Sequence, residues 1–338
     1  MPFAPIWKDR FVTLAAGEDS ADFEIRLDTV SGELIFSGRA YRRPGAEDVV
    51  ARINDICADY LRNPLPALAA GLTPLLSAAT FVTVVAGSAV DTVTFWDDWS
   101  YDPDFDPDTD PLADPVNGVL DPRQWFMYTI LDGSVTARLA FADGTTQDVP
   151  LTVVRAGSFN LSFNASYDVG DSGSGSSGTA VLDLRDYPGL ETITVGGITY
   201  TVRPDGCARY AVYYVNAHGG WDSLLLDGYS SRRDELTRHT SLNDYDNNDP
   251  LARGRRDYAI EVTPAWTLRT GILTDAQSAR MHHLLNSPQV YLCDLAQDRF
   301  FPVVLTDDSH DRQTYKGNGR RPSQYNFNAQ LAQERFRR

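Results

Sequence analysis

The first clear alternation of apolar and polar positions falls at 22–28, where Phe23, Ile25 and Leu27 interleave with Asp22, Glu24, Arg26 and Asp28. Side chains of a strand alternate between two faces, so this is a half-buried antiparallel strand. Ser31-Gly32 reverses the chain into a second strand, "ELIFSGRAY". Short strands follow at 81–85, 90–96, 125–130, 135–141 and 149–154, with Asp132-Gly133 and Asp143-Gly144 as turns. Against this background Val49, Val50, Ile53, Ile56, Cys57, Tyr60 and Leu61 recur at three- and four-residue intervals. That spacing predicts an amphipathic helix over 46–62, ended by Asn63-Pro64. Residues 1–155 therefore read as a β-sandwich carrying one helix.

Residues 156–206 form a β region interrupted by "DVGDSGSGSSG" at 168–178, where little can be buried to offset conformational entropy. This is either a mobile loop within a β domain or a tether between domains. Strands are expected on either side, at 159–163 and 180–184, followed by a hairpin around Gly196-Gly197.

The C-terminal part, 207–338, opens with "RYAVYYVNAHGGWDSLLLDG". Tyr210, Val212 and Tyr214 share one face of a strand and Ala211, Tyr213 and Val215 the other, so both faces are largely apolar. His218-Gly219-Gly220 supplies the reversal, and Trp221 to Leu226 the return. A reactive reading of His218 would need a nucleophile or metal partner, and Asp222 is its one neighbouring candidate; a scaffold hairpin fits the pattern better. Further on, "RRDYAIEVTPAWTLRTGIL" predicts one bent strand. "LTDAQSARMHHLLNSP" predicts a helix over 274–287, with Thr274 and Gln277 as a capping box and Met281, Leu284 and Leu285 on one face. Strands at 290–293, 301–305 and 324–331 complete a second small β domain. The fold class is thus mainly β: two sandwich- or barrel-like domains, each braced by one helix and joined through a loop-rich β region.

Length and composition fit this organisation. A chain of 338 residues with 42% hydrophobic content is long enough for more than one core. Its formal charge of -16 opposes coating of nucleic acid or an anionic membrane, so neither is an expected partner. The stretch 65–89 is mostly apolar, but Pro66 and Pro74 make it helix-turn-strand rather than a membrane span. Cys57, Cys207 and Cys293 stand far apart in no ligand spacing, which suits a reducing assembly environment. The start, "MPFAPIWKDRF", has no basic segment followed by an apolar core, so no secretion signal is expected.

Candidate chemistry is sparse. In "WDDWSYDPDFDPDTDPLADPVNG" the carboxylates Asp102, Asp104, Asp106, Asp108 and Asp110 alternate, a density that Ca²⁺ could use. Counted from Asp106, however, Pro111 and Asn117 occupy the positions where a calcium loop needs glycine and glutamate. An exposed acidic loop that meets a neighbouring subunit is the better reading. Trp96, Trp99 and Tyr101, with Phe105 and Trp125 near them in sequence, could offer a stacking platform for a glycan, although rings in β proteins mostly fill cores. His282 and His283 point about 100° apart on a helix and cannot share one metal through it; His239 and His310 lie in polar segments. No hydrolase elbow, phosphate loop, dinucleotide fingerprint or zinc-protease motif occurs. No enzyme, metal or cofactor is therefore expected. The tail is basic in an acidic chain: Arg320, Arg321, Arg335, Arg337 and Arg338 make either a solvated terminus or a face for the acidic surface of another copy.

Several segments, in order, resemble tail proteins of siphophages and prophages of Bacteroidetes-type bacteria. They are "PIWKDRF", "LIFSGRAYRRPG", "RINDICADYL", "YAVYYVNAHGGWDSLLLDG", "RTGILTDAQSARMHHLLNSPQVYL", "FFPVVLTDDSHDRQTYKGNG" and "YNFNAQLA", together about half the chain and leaving its middle uncovered. The resemblance implies a distal tail or tail-tip (baseplate) ring protein. It implies a homo-oligomeric ring, hexameric in such proteins, with 1–155 as the ring-forming domain. It would sit between the tail tube protein and the tip hub and receptor-binding or fibre proteins, in virions assembled in the host cytoplasm. A carbohydrate-binding adhesin module is the alternative.

Overall fold

The computed structural model describes residues 3–61, 73–74, 78–100, 105, 112–113, 118–130, 134–152, 178–203, 208–242, 254–307, 324–332 and 336–337. The protein is mainly β, with several sheets and little helix. By contact it divides into two units, neither continuous in sequence. The first comprises Met1–Pro115, Trp125–Thr201 and Val215–Asp222; the second comprises Val116–Gln124, Val202–Tyr214 and Ser223–Arg338. Among the described residues no helix is long and apolar enough to cross a membrane.

In the first unit, strands Phe3–Pro5, Ser88–Trp96, Ala78–Val85, Ser20–Leu27 and Leu34–Tyr41 lie side by side in that order. The two strands Phe11–Ala16 and Asp48–Arg52 pair separately. Val12, Leu14, Val49 and Ala51 from the small sheet enter one core cluster with Phe23, Ile25, Phe81 and Phe95 from the large one. The helix expected over 46–62 is corrected here: 48–52 is a strand, and only Asn54–Ala58 is helical. The reason lies in the periods. Val49 and Ala51 are buried while Val50 is less so, a period of two that β-branched residues favour, whereas Ile53 and Cys57 supply the helical spacing only beyond Arg52. The same unit carries a meander of Thr146–Thr152, Ser134–Phe141, Leu190–Val195 and Ile198–Val202, and a sheet of Trp125–Ile130, Gly178–Asp183 and Thr73–Pro74.

The second unit is built on one sheet whose strands run Trp221–Leu226, Tyr210–Val215, Val290–Asp294, Arg299–Leu305, Asn326–Leu331, Arg255–Arg269 and Ser231–Leu242, except that the turn-proximal residues Val215, Trp221 and Asp222 are counted in the first unit. Phe336–Arg337 adds a short pairing to Arg255–Arg269. The helix Asp275–Leu285 begins as the sequence indicates, with the Thr274 hydroxyl accepting from Gln277 N–H and the Gln277 side chain returning to Thr274 N–H. Its Met281 and Leu284 join Val212, Tyr214, Trp266, Leu268, Leu292 and Phe327 in the core. The bent strand predicted from 255 stops at Arg269, and a preceding strand, Ser231–Leu242, pairs with it over its whole length.

The Gly/Ser stretch 168–177 and the strand expected at 159–163 lie outside the described residues, as do His310 and Cys207. Cys57 and Cys293 are buried, and burial pushes the Cys57 thiol up to about 12, far from the reactive thiolate range.

Candidate functional site

Two clusters gather polar side chains with unusual surroundings. The first surrounds the reversal of the hairpin, within the first unit. Val215 and Asn216 on one side of the turn and Trp221 on the other are fully buried. Gly219 takes φ +79°, and a Cβ there would lie 2.5 Å from the Asp97 carbonyl oxygen, so both backbone conformation and space require glycine. Asn216, 0% exposed, organises the turn. Its Nδ2 donates to Leu112 O (2.6 Å) and Asp222 Oδ2 (2.7 Å), and its Oδ1 accepts from His218 N–H (3.0 Å) and Gly220 N–H (2.9 Å).

The His218 ring stacks on Phe105 at 4.3 Å, and its Nδ1 stands 3.8 Å from buried Asp98. Asp98 Oδ1 also accepts from the backbone and hydroxyl of Ser100, at 2.8 and 2.7 Å. Serine, histidine and aspartate thus meet, but in the wrong order for acyl transfer. In a triad the imidazole lies between hydroxyl and carboxylate and takes the hydroxyl proton; here the carboxylate lies between the other two. Asn216 and Asp98 therefore make this a turn-fixing network. Asp222, the neighbouring candidate that the sequence offered for His218, accepts from Asn216.

Asp97 beside this network is perturbed. Burial raises its pKa, the Trp7 indole N–H donated to Oδ1 (2.9 Å) partly offsets this, and Asp98 raises it further. A carboxyl whose folded pKa lies above its unfolded value holds its proton more tightly in the native state. Its contribution to stability is then lost as pH rises from the unfolded value through the folded one. Asp97→Asn keeps an acceptor for Trp7 and removes the buried charge. The variant is expected to show a higher urea midpoint than wild type at pH 7, with the gap closing as pH falls toward about 4. Equal midpoints at pH 7 would show that Asp97 carries no penalty.

The second cluster lies in the second unit, at the base of the paired strands Ser231–Leu242 and Arg255–Arg269. A hollow of about 160 Å³ is lined by Arg209, Tyr210, Arg232, Trp266, Asp294 and Phe301, with Ser230 and Gln297 beside them. Tyr210 and Trp266 are buried floor rings, at 5% and 2% exposure. The Arg209 guanidinium sits 5.4 Å from the Tyr210 ring centre and that of Arg232 5.7 Å from Trp266; Arg299 stacks on Phe301 at 5.1 Å. Arg209 also reaches Asp294 at 3.4 Å, and Arg232 pairs with Asp234 at 3.0 Å. Each arginine side chain remains attached to a ring while its in-plane N–H groups keep a planar, forked donor geometry suited to carboxylates.

The sequence-predicted residues fare unevenly. Trp96 is 3% exposed in a cluster with Leu112 and Phe105, which makes it a core ring and corrects the glycan-platform reading for that residue. Trp99 is half-buried, its backbone N–H bonded to Ala217 O (2.9 Å). Tyr101, Asp102, Asp104, Asp106, Asp108 and Asp110 lie outside the described residues, as do Arg320, Arg321, Arg335 and Arg338; Arg337 is described only as part of a short strand. The His282 and His283 rings contact each other edge to face at 4.0 Å, and His239 Nε2 lies 2.9 Å from Glu261 Oε1. Among the described residues no group of three or more His, Cys, Asp or Glu side chains is placed to hold a metal ion. The arginine-lined hollow was not foreseen, because Arg209, Arg232, Trp266 and Phe301 are far apart in sequence. No family model matches the chain, and no curated protein matches it.

Proposed function

We propose that this chain is a non-enzymatic structural subunit of a phage tail, assembling as a closed ring of copies at the distal end or baseplate and joining the tail tube to tip or receptor-binding proteins. The observation that carries this reading is the hairpin of Ser231–Leu242 and Arg255–Arg269. Nearly every residue of its first strand is exposed, including Leu236 at 54% and Leu242 at 80%, and Tyr258 on the second strand is 64% exposed. Over 255–258 the second strand is exposed as well, and a two-stranded stretch solvated in this way is marginal in water. Ser231–Leu242 also ends its sheet, so among the described residues no strand pairs with its outer edge. An element of this kind gains stability when another protein surface covers it, which is what a ring contact supplies.

The finer architecture belongs to the same reading. Phe11–Ala16 and Asp48–Arg52 would close a β-sandwich over the five-stranded sheet, and Asp275–Leu285 would brace the C-terminal sheet through Met281 and Leu284. The ordered resemblance of both ends of the chain to siphophage tail proteins points the same way, and implies a virion location.

Light scattering on a sizing column, followed by negative-stain imaging, tests the reading. Wild type is expected to form closed rings, six being the number that the resemblance implies. Glu235 and Thr263 face each other in the ladder, so replacing 236–262 by Asn-Gly closes the shortened hairpin with a two-residue turn. That variant is expected to run as a monomer with an otherwise native circular dichroism spectrum. A wild-type chain that stays monomeric at high concentration would overturn the assembly role.

A further inference from the structure

The arginine-lined hollow of the second unit has a composition that the ring reading does not by itself explain. Three guanidiniums, those of Arg209, Arg232 and Arg299, stack on rings in or beside one depression. Against them stand Asp294 and Asp234, which leaves a local excess of one positive charge in a chain whose formal charge is -16. The Asp294 side chain is 5% exposed and already accepts the Ala296 N–H at 3.1 Å, so it anchors Arg209 from below rather than presenting its own charge to a ligand. The stacked guanidiniums are pre-positioned, so little rotamer entropy is lost when their forks receive a partner. Planar paired donors over an aromatic floor fit a carboxylate carried on a partly apolar body.

We propose that this hollow binds a carboxylate-bearing peptide, and that its occupant is the Asp-Pro run 102–110 of a second copy of this chain. The choice rests on charge complementarity. That run holds five aspartates alternating with Pro103, Phe105, Pro107 and Thr109; Phe105 packs on His218 and Trp96 within its own copy, so Pro103 and Pro107 are the apolar neighbours that the run offers to the floor rings. The same sequence therefore supplies an acidic donor and an acceptor with a small cationic excess and forked N–H donors. Such a contact is heterologous and closes into a ring when the rotation between copies allows it. The inference rests on the assembly reading and specifies one of its contacts.

The test uses a synthetic peptide of residues 97–113 and the full-length protein, with fluorescence anisotropy for binding and light scattering for assembly. Saturable binding is expected. It should weaken at least tenfold in the double variant Arg232→Gln, Arg299→Gln, weaken with added salt, and be weaker for a peptide with every Asp replaced by Asn. The double variant should also shift from rings to smaller species, with its thermal melt unchanged as the check on folding. Rings that persist in the double variant, together with absent or unaltered peptide binding, would overturn this contact and leave the assembly reading standing. A monomeric wild type would overturn the assembly reading and the second-copy occupant together. Binding of free glucuronate without binding of the peptide would overturn the peptide in favour of an acidic sugar.

Discussion

Trp221→Ala is expected to destabilise the first unit by about 4 kcal/mol, the cost of emptying a large buried aromatic site. Trp221 is 0% exposed and directly follows the two glycines of the hairpin turn, and its backbone N–H donates to the buried Thr129 hydroxyl at 3.0 Å. Little collapse into the space is available, because the adjoining backbone is fixed: a Cβ on Gly220 would come within 2.6 Å of Leu112 O, and one on Gly219 within 2.5 Å of Asp97 O. Urea unfolding followed by far-ultraviolet circular dichroism measures the loss without relying on the tryptophan itself. The matched control is Tyr229→Ala, an aromatic just beyond the hairpin at 81% exposure, which should change stability by less than about 0.5 kcal/mol. Equal effects from the two substitutions would mean that the hairpin turn is not packed as described.

What made Trp221 and its hairpin legible was local: six consecutive apolar residues, two glycines and a return strand leave few alternatives at any level of structure. The capping box at Thr274 and Gln277 was legible for the same reason, since both partners lie within one turn. The strand Ser231–Leu242 was not. Its sequence, "SRRDELTRHTSL", has polar residues at nearly every position because both of its faces meet solvent, and without a buried face the period-two signal vanishes. At 46–62 the opposite failure occurred. Val49, Val50, Ile53, Ile56 and Cys57 satisfy a helical template by the accident that a strand runs directly into a short helix, and spacing alone carries no mark of the junction. The clusters around Asn216 and Arg232 depend on residues brought together across tens to about a hundred positions. Leu112 O and Asn216 are 104 apart in sequence, and no motif of fixed spacing could have announced them.

Asn216→Ala is expected to cost about as much as the loss of Trp221, for a different reason. One buried amide satisfies the Leu112 carbonyl, the Asp222 carboxylate and the N–H groups of His218 and Gly220. Truncation leaves several of these groups in the interior short of a partner, at about 1–3 kcal/mol for each that water cannot reach. A loss of about 4 kcal/mol in the urea experiment is the expected sum. Asn216→Asp separates hydrogen bonding from charge. It retains the acceptor for His218 and Gly220 but sets a second carboxylate against Asp222, at a position where the wild-type separation is 2.7 Å. Two buried carboxylates at that distance cannot both be ionised, so the native variant must take up a proton that the unfolded chain releases at neutral pH. Its stability should therefore rise as pH falls from about 7 toward 5, whereas the deficit of Asn216→Ala should stay nearly constant over the same range. Tyr128 lies within reach of the same charge, with burial and then Asp222 pushing its hydroxyl up to about 12. If both variants lose the same stability at pH 5 and at pH 7, Asp222 is not charged in the native protein, and the turn is held by neutral hydrogen bonds alone.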